Sequence, residues 1–159
     1  MPFDSTTQRH ILGRFATGIT VITTKVGDEL CGLTANAFAS LSLNPPLVLV
    51  AIDHRAHSYE KLKASRTYAV NILRSDQQEV SARFAKPGPK DFSGLSLITA
   101  ETGAPILADS LAWLDCRVSA ILPGGDHDIF VGEIVAGEHF EGEPLLYFAG
   151  HYGQFQKNG

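Results

Sequence analysis

The stretch TANAFASLSLN, residues 34–44, gathers groups that can do chemistry. Hydroxyls stand at Thr34, Ser40 and Ser42, with the small residues Ala35, Ala37 and Ala39 between them. Small side chains let a flat ligand approach the main chain, and successive backbone N–H groups suit anionic phosphate oxygens. The same composition fits a Ser/Ala-rich strand and turn that binds nothing, and the residues alone leave both readings open. Other familiar sites are absent from the chain. It has no G-x-G-x-x-G and no G-x-x-x-x-G-K-[ST], so neither a Rossmann nucleotide site nor a P-loop is supported. It has no G-x-S-x-G elbow and no H-E-x-x-H. The six histidines, at 10, 54, 57, 127, 139 and 151, show no regular ligand spacing. His54 and His57 can share a helical face, yet no metal site is expected there. Cys31 and Cys116 form no C-x-x-C pair and read as buried thiols, not as a zinc or redox site.

The chain that must position these groups has 159 residues, which suggests a single domain over 1–159. A chain of this size buries roughly 70% of its extended surface and needs no staple. The formal net charge is −4, and the charges are dispersed. That balance argues against nucleic acid or an anionic membrane as the main partner. The start, MPFDSTTQRHILGRF, lacks the basic-then-apolar pattern of a signal peptide, and no apolar run approaches the ~18 residues of a membrane span. A soluble, cytoplasmic protein is expected.

The pattern of elements follows from turn signals and periodicity. Asp4 or Ser5 can cap a first helix running to about Thr17, with Ile11, Leu12 and Phe15 on one face and Gly18 as its stop. ITVITTKV (19–26) is a β-branched strand, GDE (27–29) a hairpin turn, and a second strand begins at Leu30. PLVLVAID (46–53) and TYAVNIL (67–73) are strands on either side of a short helix over 57–65. Residues 75–85 suit a helix opened by a Ser75/Gln78 capping box, and 86–94, rich in Pro and Gly, form a loop. The last third reads as three strands, 111–122, 127–140 and 144–152. There is no internal repeat. Short turns and few helices do not fit a parallel sheet; a closed antiparallel barrel with peripheral helices does.

FATGITVITT, GLTANAFASLSLNPPLVLVAID, YAVNIL, ARFA, HDIFVGEI and GHYGQF, in that order, resemble the flavin reductase-like family. These are the short-chain NAD(P)H:flavin oxidoreductases of two-component monooxygenases. The likeness runs from about residue 11 to 155. It implies a mainly β, Greek-key split antiparallel barrel that binds FMN or FAD, takes NADH or NADPH as hydride donor, forms a homodimer and serves a partner monooxygenase.

The resemblance also implies roles. Thr34, Ala35 and Asn36 match the segment lining the isoalloxazine ring. Ser40, Leu41 and Ser42 match the turn near the ribityl and phosphate part, and Ser58 would add a donor at a helix start. Arg83 and Phe84 match the family's segment by the flavin, with Arg83 and Lys86 offering positive charge to phosphate. His127 matches a histidine near the nicotinamide, and His151 and Tyr152 match the C-terminal segment that closes over the site. Trp113 and Cys116 are expected in the core. Flavin and nicotinamide carry the redox chemistry between them, so a missing catalytic triad is no objection. The alternatives are a flavin-binding electron-transfer or storage protein that does not itself oxidise NAD(P)H, and a structural barrel domain that binds no flavin.

Overall fold

A computed structural model describes residues 2–159 of the chain. Helix α1 (Ser5–Leu12) and the short strand β1 (Thr17–Gly18) lead into β2 (Thr20–Val26) and β3 (Glu29–Ala35). Then come β4 (Phe38–Leu43), β5 (Pro46–Asp53), α2 (Tyr59–Ser65), β6 (Thr67–Ile72) and α3 (Gln78–Ala85). The short β7 (Leu97–Ile98) and β8 (Ile106–Leu107) precede two long strands, β9 (Ala112–Gly124) and β10 (His127–His139). The chain ends on β11 (Leu145–Phe148) and β12 (His151–Gln154).

The main sheet has the order β3-β2-β6-β9-β10-β5-β4, and every pairing in it is antiparallel. β5 shows why it faces a core on one side: Val48, Val50 and Ile52 are buried, and the residues between them are more exposed. They meet Ile22, Leu62, Tyr68, Val70 and Phe130 in the larger hydrophobic cluster. β2 is buried from Thr20 to Thr24, and its threonine hydroxyls are all satisfied. Thr20 donates to the carbonyl of Ala35, Thr23 to that of Pro105 and Thr24 to that of Thr67. A second cluster, with Ile19, Val21, Leu73, Val80, Phe84 and Leu145, packs α3 against the sheet.

Several expectations need correction. The sheet does not close: β3 and β4 are its two edges. They follow one another in sequence, yet each pairs only on its far side. α3 lies beside β3, and the Thr34 hydroxyl donates to the Ser81 carbonyl (2.6 Å), so closure is not needed to cover that edge. α1 stops at Gly13 instead of about Thr17, where the Gly13 carbonyl accepts from Ala149 N–H (2.9 Å). Its start is as expected, with the Asp4 carboxylate accepting from Thr7 N–H (2.8 Å). The Ser75/Gln78 capping box does not form. Ser75 N–H is drawn away to the Glu143 carbonyl, and the Gln77 side chain accepts from Arg74 N–H. Residues 144–152 are not one strand. Ala149 and Gly150 both take positive φ and fold the segment into a hairpin.

Candidate functional site

A groove of about 580 Å³ opens where three elements meet. β3 contributes Leu33 and Thr34, the end of β5 and the turn after it contribute Asp53, Arg55, Ala56 and His57, and the end of α3 with its following loop contributes Phe84, Ala85, Lys86 and Lys90. Phe84 is buried beneath it, edge-on to Phe92 at 4.9 Å. Gly32 permits that position: a Cβ there would lie 2.9 Å from the Phe84 ring.

The groove is cationic, but its cations differ. Asp53 accepts from the Arg55 backbone N–H (2.8 Å) and twice from its guanidinium (3.2 and 2.9 Å). This pins the turn after β5 and neutralises Arg55, and the Arg55 side chain, more than its backbone N–H, holds the Asp53 carboxyl well below the usual range. His57 and Lys61 both face Glu29, at 3.2 and 2.9 Å. Lys86 has no ion pair among the described residues and lies on the groove wall. The Lys90 ammonium donates to the Gly88 carbonyl (2.6 Å), and burial lowers its pKa. Lys86 and Lys90 are thus the cations left without an acidic partner, and an anion would supply one.

Thr34 and Ala85 also line a smaller pocket of about 180 Å³, so the two spaces adjoin across these residues. Its other walls are Ile19, Asn36, Ser81, Tyr147 and Tyr152. Tyr152 shares a hydrogen bond with Ser81 (3.0 Å) and meets Tyr147 edge-on at 5.5 Å. Ile19 and Asn36 also line a third, mainly apolar space of about 370 Å³ along residues 15–20, with Phe38 and Ile72. The sequence of spaces is apolar, then aromatic and polar, then cationic. It suits an elongated ligand with a flat ring at one end and an anionic group at the other.

Thr34, Asn36, Phe84, Lys86 and Tyr152 all lie on these walls. Other expected residues are placed elsewhere. Ala35 is half-buried at the end of β3 and accepts from Thr20 through its carbonyl. Ser40, Leu41 and Ser42 stand on the edge strand β4, where a bulge leaves Leu41 unpaired, and none of them lines the three spaces. Ser58 is buried, and its hydroxyl donates inward to the Gly32 carbonyl (3.2 Å), so its side chain is engaged within the protein. Arg83 lies on the outer face of α3 and engages its guanidinium within the protein. His127 pairs with Asp126 at 2.7 Å and stands opposite Asp53 in the β5–β10 register, beside the groove. His151 is exposed and faces the Ala149 carbonyl.

Sequence reasoning missed Arg55, His57, Lys90, Ser81 and Tyr147. The signal for Arg55 and His57 was the charged run DHRAH directly after the most apolar strand. Lys90 stands in the Pro- and Gly-rich segment 86–94, whose composition signals a loop and no ligand. Cys31 and Cys116 are buried free thiols, and Trp113 packs against a small buried cluster. No group of side chains suited to a metal ion occurs among the described residues.

Comparison with known proteins gives a consistent answer. Residues 12–156 match the family model described as "Flavin reductase like domain". The chain is 40% identical over 152 residues to the reductase subunit HsaB of a flavin-dependent monooxygenase from Mycobacterium tuberculosis, covering 94% of this chain and 81% of that protein. It is 40% identical over 147 residues to an NADH-dependent flavin reductase from a Rhodococcus species, covering 91% and 82%. The crystal structure of nitrilotriacetate monooxygenase component B from Mycobacterium thermoresistibile is similar to it with a TM-score of 0.93 at 38% identity, covering 98% of this chain and 90% of that one. The shared architecture is the split antiparallel barrel expected from the sequence.

Proposed function

This chain belongs to the flavin reductase-like family, and from that premise we propose that it reduces FMN or FAD with NADH or NADPH and supplies the reduced flavin to a partner monooxygenase. The observation that carries this reading is the placement of the tyrosine-walled pocket next to the cationic groove, with Thr34 and Ala85 shared by both walls. The residues fit a flavin. Asn36 has no hydrogen-bond partner among the described residues, so its amide is free for the polar edge of a ring. Lys86 and Lys90 lie at the far end, where a phosphate belongs, and Gly32 leaves room for the Phe84 ring that lines the groove.

Flavin and nicotinamide, when bound, supply the hydride chemistry. The protein's share is to bind and orient. Tyr147 and Tyr152 wall the ring, and the two lysines hold the anionic arm. His127, steadied by Asp126, orients the carboxamide or phosphate of the nicotinamide nucleotide at the rim. Nothing observed favours flavin storage without NAD(P)H oxidation.

The reading includes a homodimer. α1 buries none of its residues within the chain, and Phe15 and Leu43 are 78% and 93% exposed. Apolar side chains this open support a face covered by a second copy. No helix among the described residues is long and apolar enough to cross a membrane. A cytoplasmic location, where reduced nicotinamide is available, goes with this reading.

The test is steady-state NAD(P)H oxidation, with NADH and NADPH each crossed against FAD, FMN and riboflavin. Oxidation that requires flavin is expected. Tight flavin binding with no oxidation of either nicotinamide would establish the storage alternative instead.

A further inference from the structure

The Arg83 guanidinium makes four hydrogen bonds, none of them to the groove. Nε and Nη2 grip the two oxygens of Glu79, one turn earlier on α3, at 3.0 and 3.1 Å. Nη1 donates to the carbonyls of Asp91 (3.1 Å) and Ser93 (2.9 Å) in the loop after the helix. That uses four of the five N–H donors of a guanidinium. Arg83 is absent from the walls of both the groove and the tyrosine pocket, although its neighbours Phe84, Ala85 and Lys86 line them.

The loop it grips carries both free cations of the groove. Lys86 follows α3 directly in extended backbone. Gly88 turns the chain at a φ of 84°, with Pro87 and Pro89 on either side, and Lys90 folds back onto the Gly88 carbonyl. Beyond Lys90, the loop is held by Phe92 on Phe84 and by the two carbonyls bound to Arg83. Without that grip the residues around Lys90 would have to be ordered by the ligand, and the lost chain entropy would be charged to binding.

We propose that Arg83 is a positioning residue that fixes the loop of residues 86–93 so that Lys86 and Lys90 present paired charges to a flavin phosphate without Arg83 touching that phosphate. The inference rests on the reading of the groove as the phosphate end of the flavin site. It replaces the direct contact expected from the resemblance with an indirect one, made through the main chain.

Lysine is the informative substitution. Arg83→Lys keeps the charge, but a single ammonium cannot hold a carboxylate by two parallel bonds while gripping two carbonyls. The experiment measures dissociation constants of FMN, FAD and riboflavin for wild type, Arg83→Lys, Arg83→Ala, Lys86→Ala/Lys90→Ala and the triple variant. Amide exchange of the loop is followed in flavin-free protein. Arg83→Lys should weaken FMN and FAD by about tenfold, the scale of one charge-assisted hydrogen bond. Riboflavin should change by less than about threefold, within the range of a minor polar contact. Exchange at residues 91–93 should speed up, and substitution of Arg83 should have no further effect once both lysines are gone.

Wild-type FMN affinity in Arg83→Lys would overturn the proposal. So would an Arg83→Ala loss that persists without the lysines, which marks direct contact, or an equal loss for riboflavin, which marks a general structural role. If the double lysine variant binds FMN as wild type does, the groove reading fails first, and the proposal falls with it. Should Arg83→Ala not fold, Arg83→Lys alone and in the lysine-free background decides the matter.

Discussion

Asp128 shows how one carboxylate ties the turn after β5 to the sheet. It accepts from the Tyr59 hydroxyl at 2.6 Å and faces His54 at 3.0 Å. Tyr59 first, and His54 second, hold its carboxyl below the usual range. A carboxyl depressed in the folded state stabilises the fold above its unfolded value of about 3.9, and that contribution fades as pH falls toward the folded value. Asp128→Asn should therefore be less stable than wild type at neutral pH and lose less on acidification below about pH 4. Melting temperatures from pH 3 to 7 for both proteins would show it. Gly32 is a steric case. An added methyl would meet Phe84 at 2.9 Å and the Ile22 carbonyl at 3.0 Å, and the buried ring has little room to retreat. Gly32→Ala should cost about 1–3 kcal/mol in denaturant unfolding, as overpacked cores do, and loosen flavin binding through Phe84. For His127→Ala, loss of donor positioning should lower kcat/KM for NAD(P)H by roughly 10–100-fold while the flavin dissociation constant moves less than about threefold. Stopped-flow flavin reduction beside a flavin titration separates the two; an unchanged reduction rate would leave His127 a turn residue.

At the scale of elements, the β11–β12 hairpin depends on a two-residue turn with positive φ at both positions, 51° at Ala149 and 80° at Gly150. A Cβ-bearing residue in this region is strained, and alanine has no side chain to bond locally; asparagine tolerates the conformation and suits this hairpin turn. Ala149→Asn should raise stability by about 0.5–1 kcal/mol. A rise in melting temperature with unchanged flavin affinity would confirm that the hairpin merely carries Tyr152 into place. A fall would mean that the larger side chain disturbs the packing of the turn against Gly13, whose carbonyl accepts from the Ala149 N–H. The same hairpin explains why α1 ends where it does, because that carbonyl is taken by the turn instead of by a further helical residue.

For the whole molecule, the apolar residues left open by the chain make the clearest prediction. α1, Phe15 and the edge strand with Leu43 have little to pack against within one copy. Obligate dimers of this kind commonly bury about 2,000 Å² or more. Sedimentation at micromolar concentration should give a species near twice 17.1 kDa. Phe15→Glu combined with Leu43→Glu should shift it toward the monomer, since two buried charges would stand in the contact. A wild-type species of monomer mass would remove the dimer.

What the sequence by itself determined was local in origin. Alternation along PLVLVAID, β-branching in ITVITTKV and the breakers between runs specified most strands within a residue or two, because side-chain period and turn chemistry act over a few residues. Motif order was enough to point to the family. Tertiary structure alone decided which polar groups reach the groove and the two pockets beside it. Thr34 finds Ser81 47 positions later, His57 finds Glu29 28 positions earlier, and Ser58 turns inward to Gly32. Arg83 sits in a recognisable motif, yet its direction is set by two loop carbonyls and by Glu79. A long side chain follows the partners that packing brings within reach, and neither the cover over the edge of β3 nor the placement of the lysine-bearing loop beside it exists until α3 docks there.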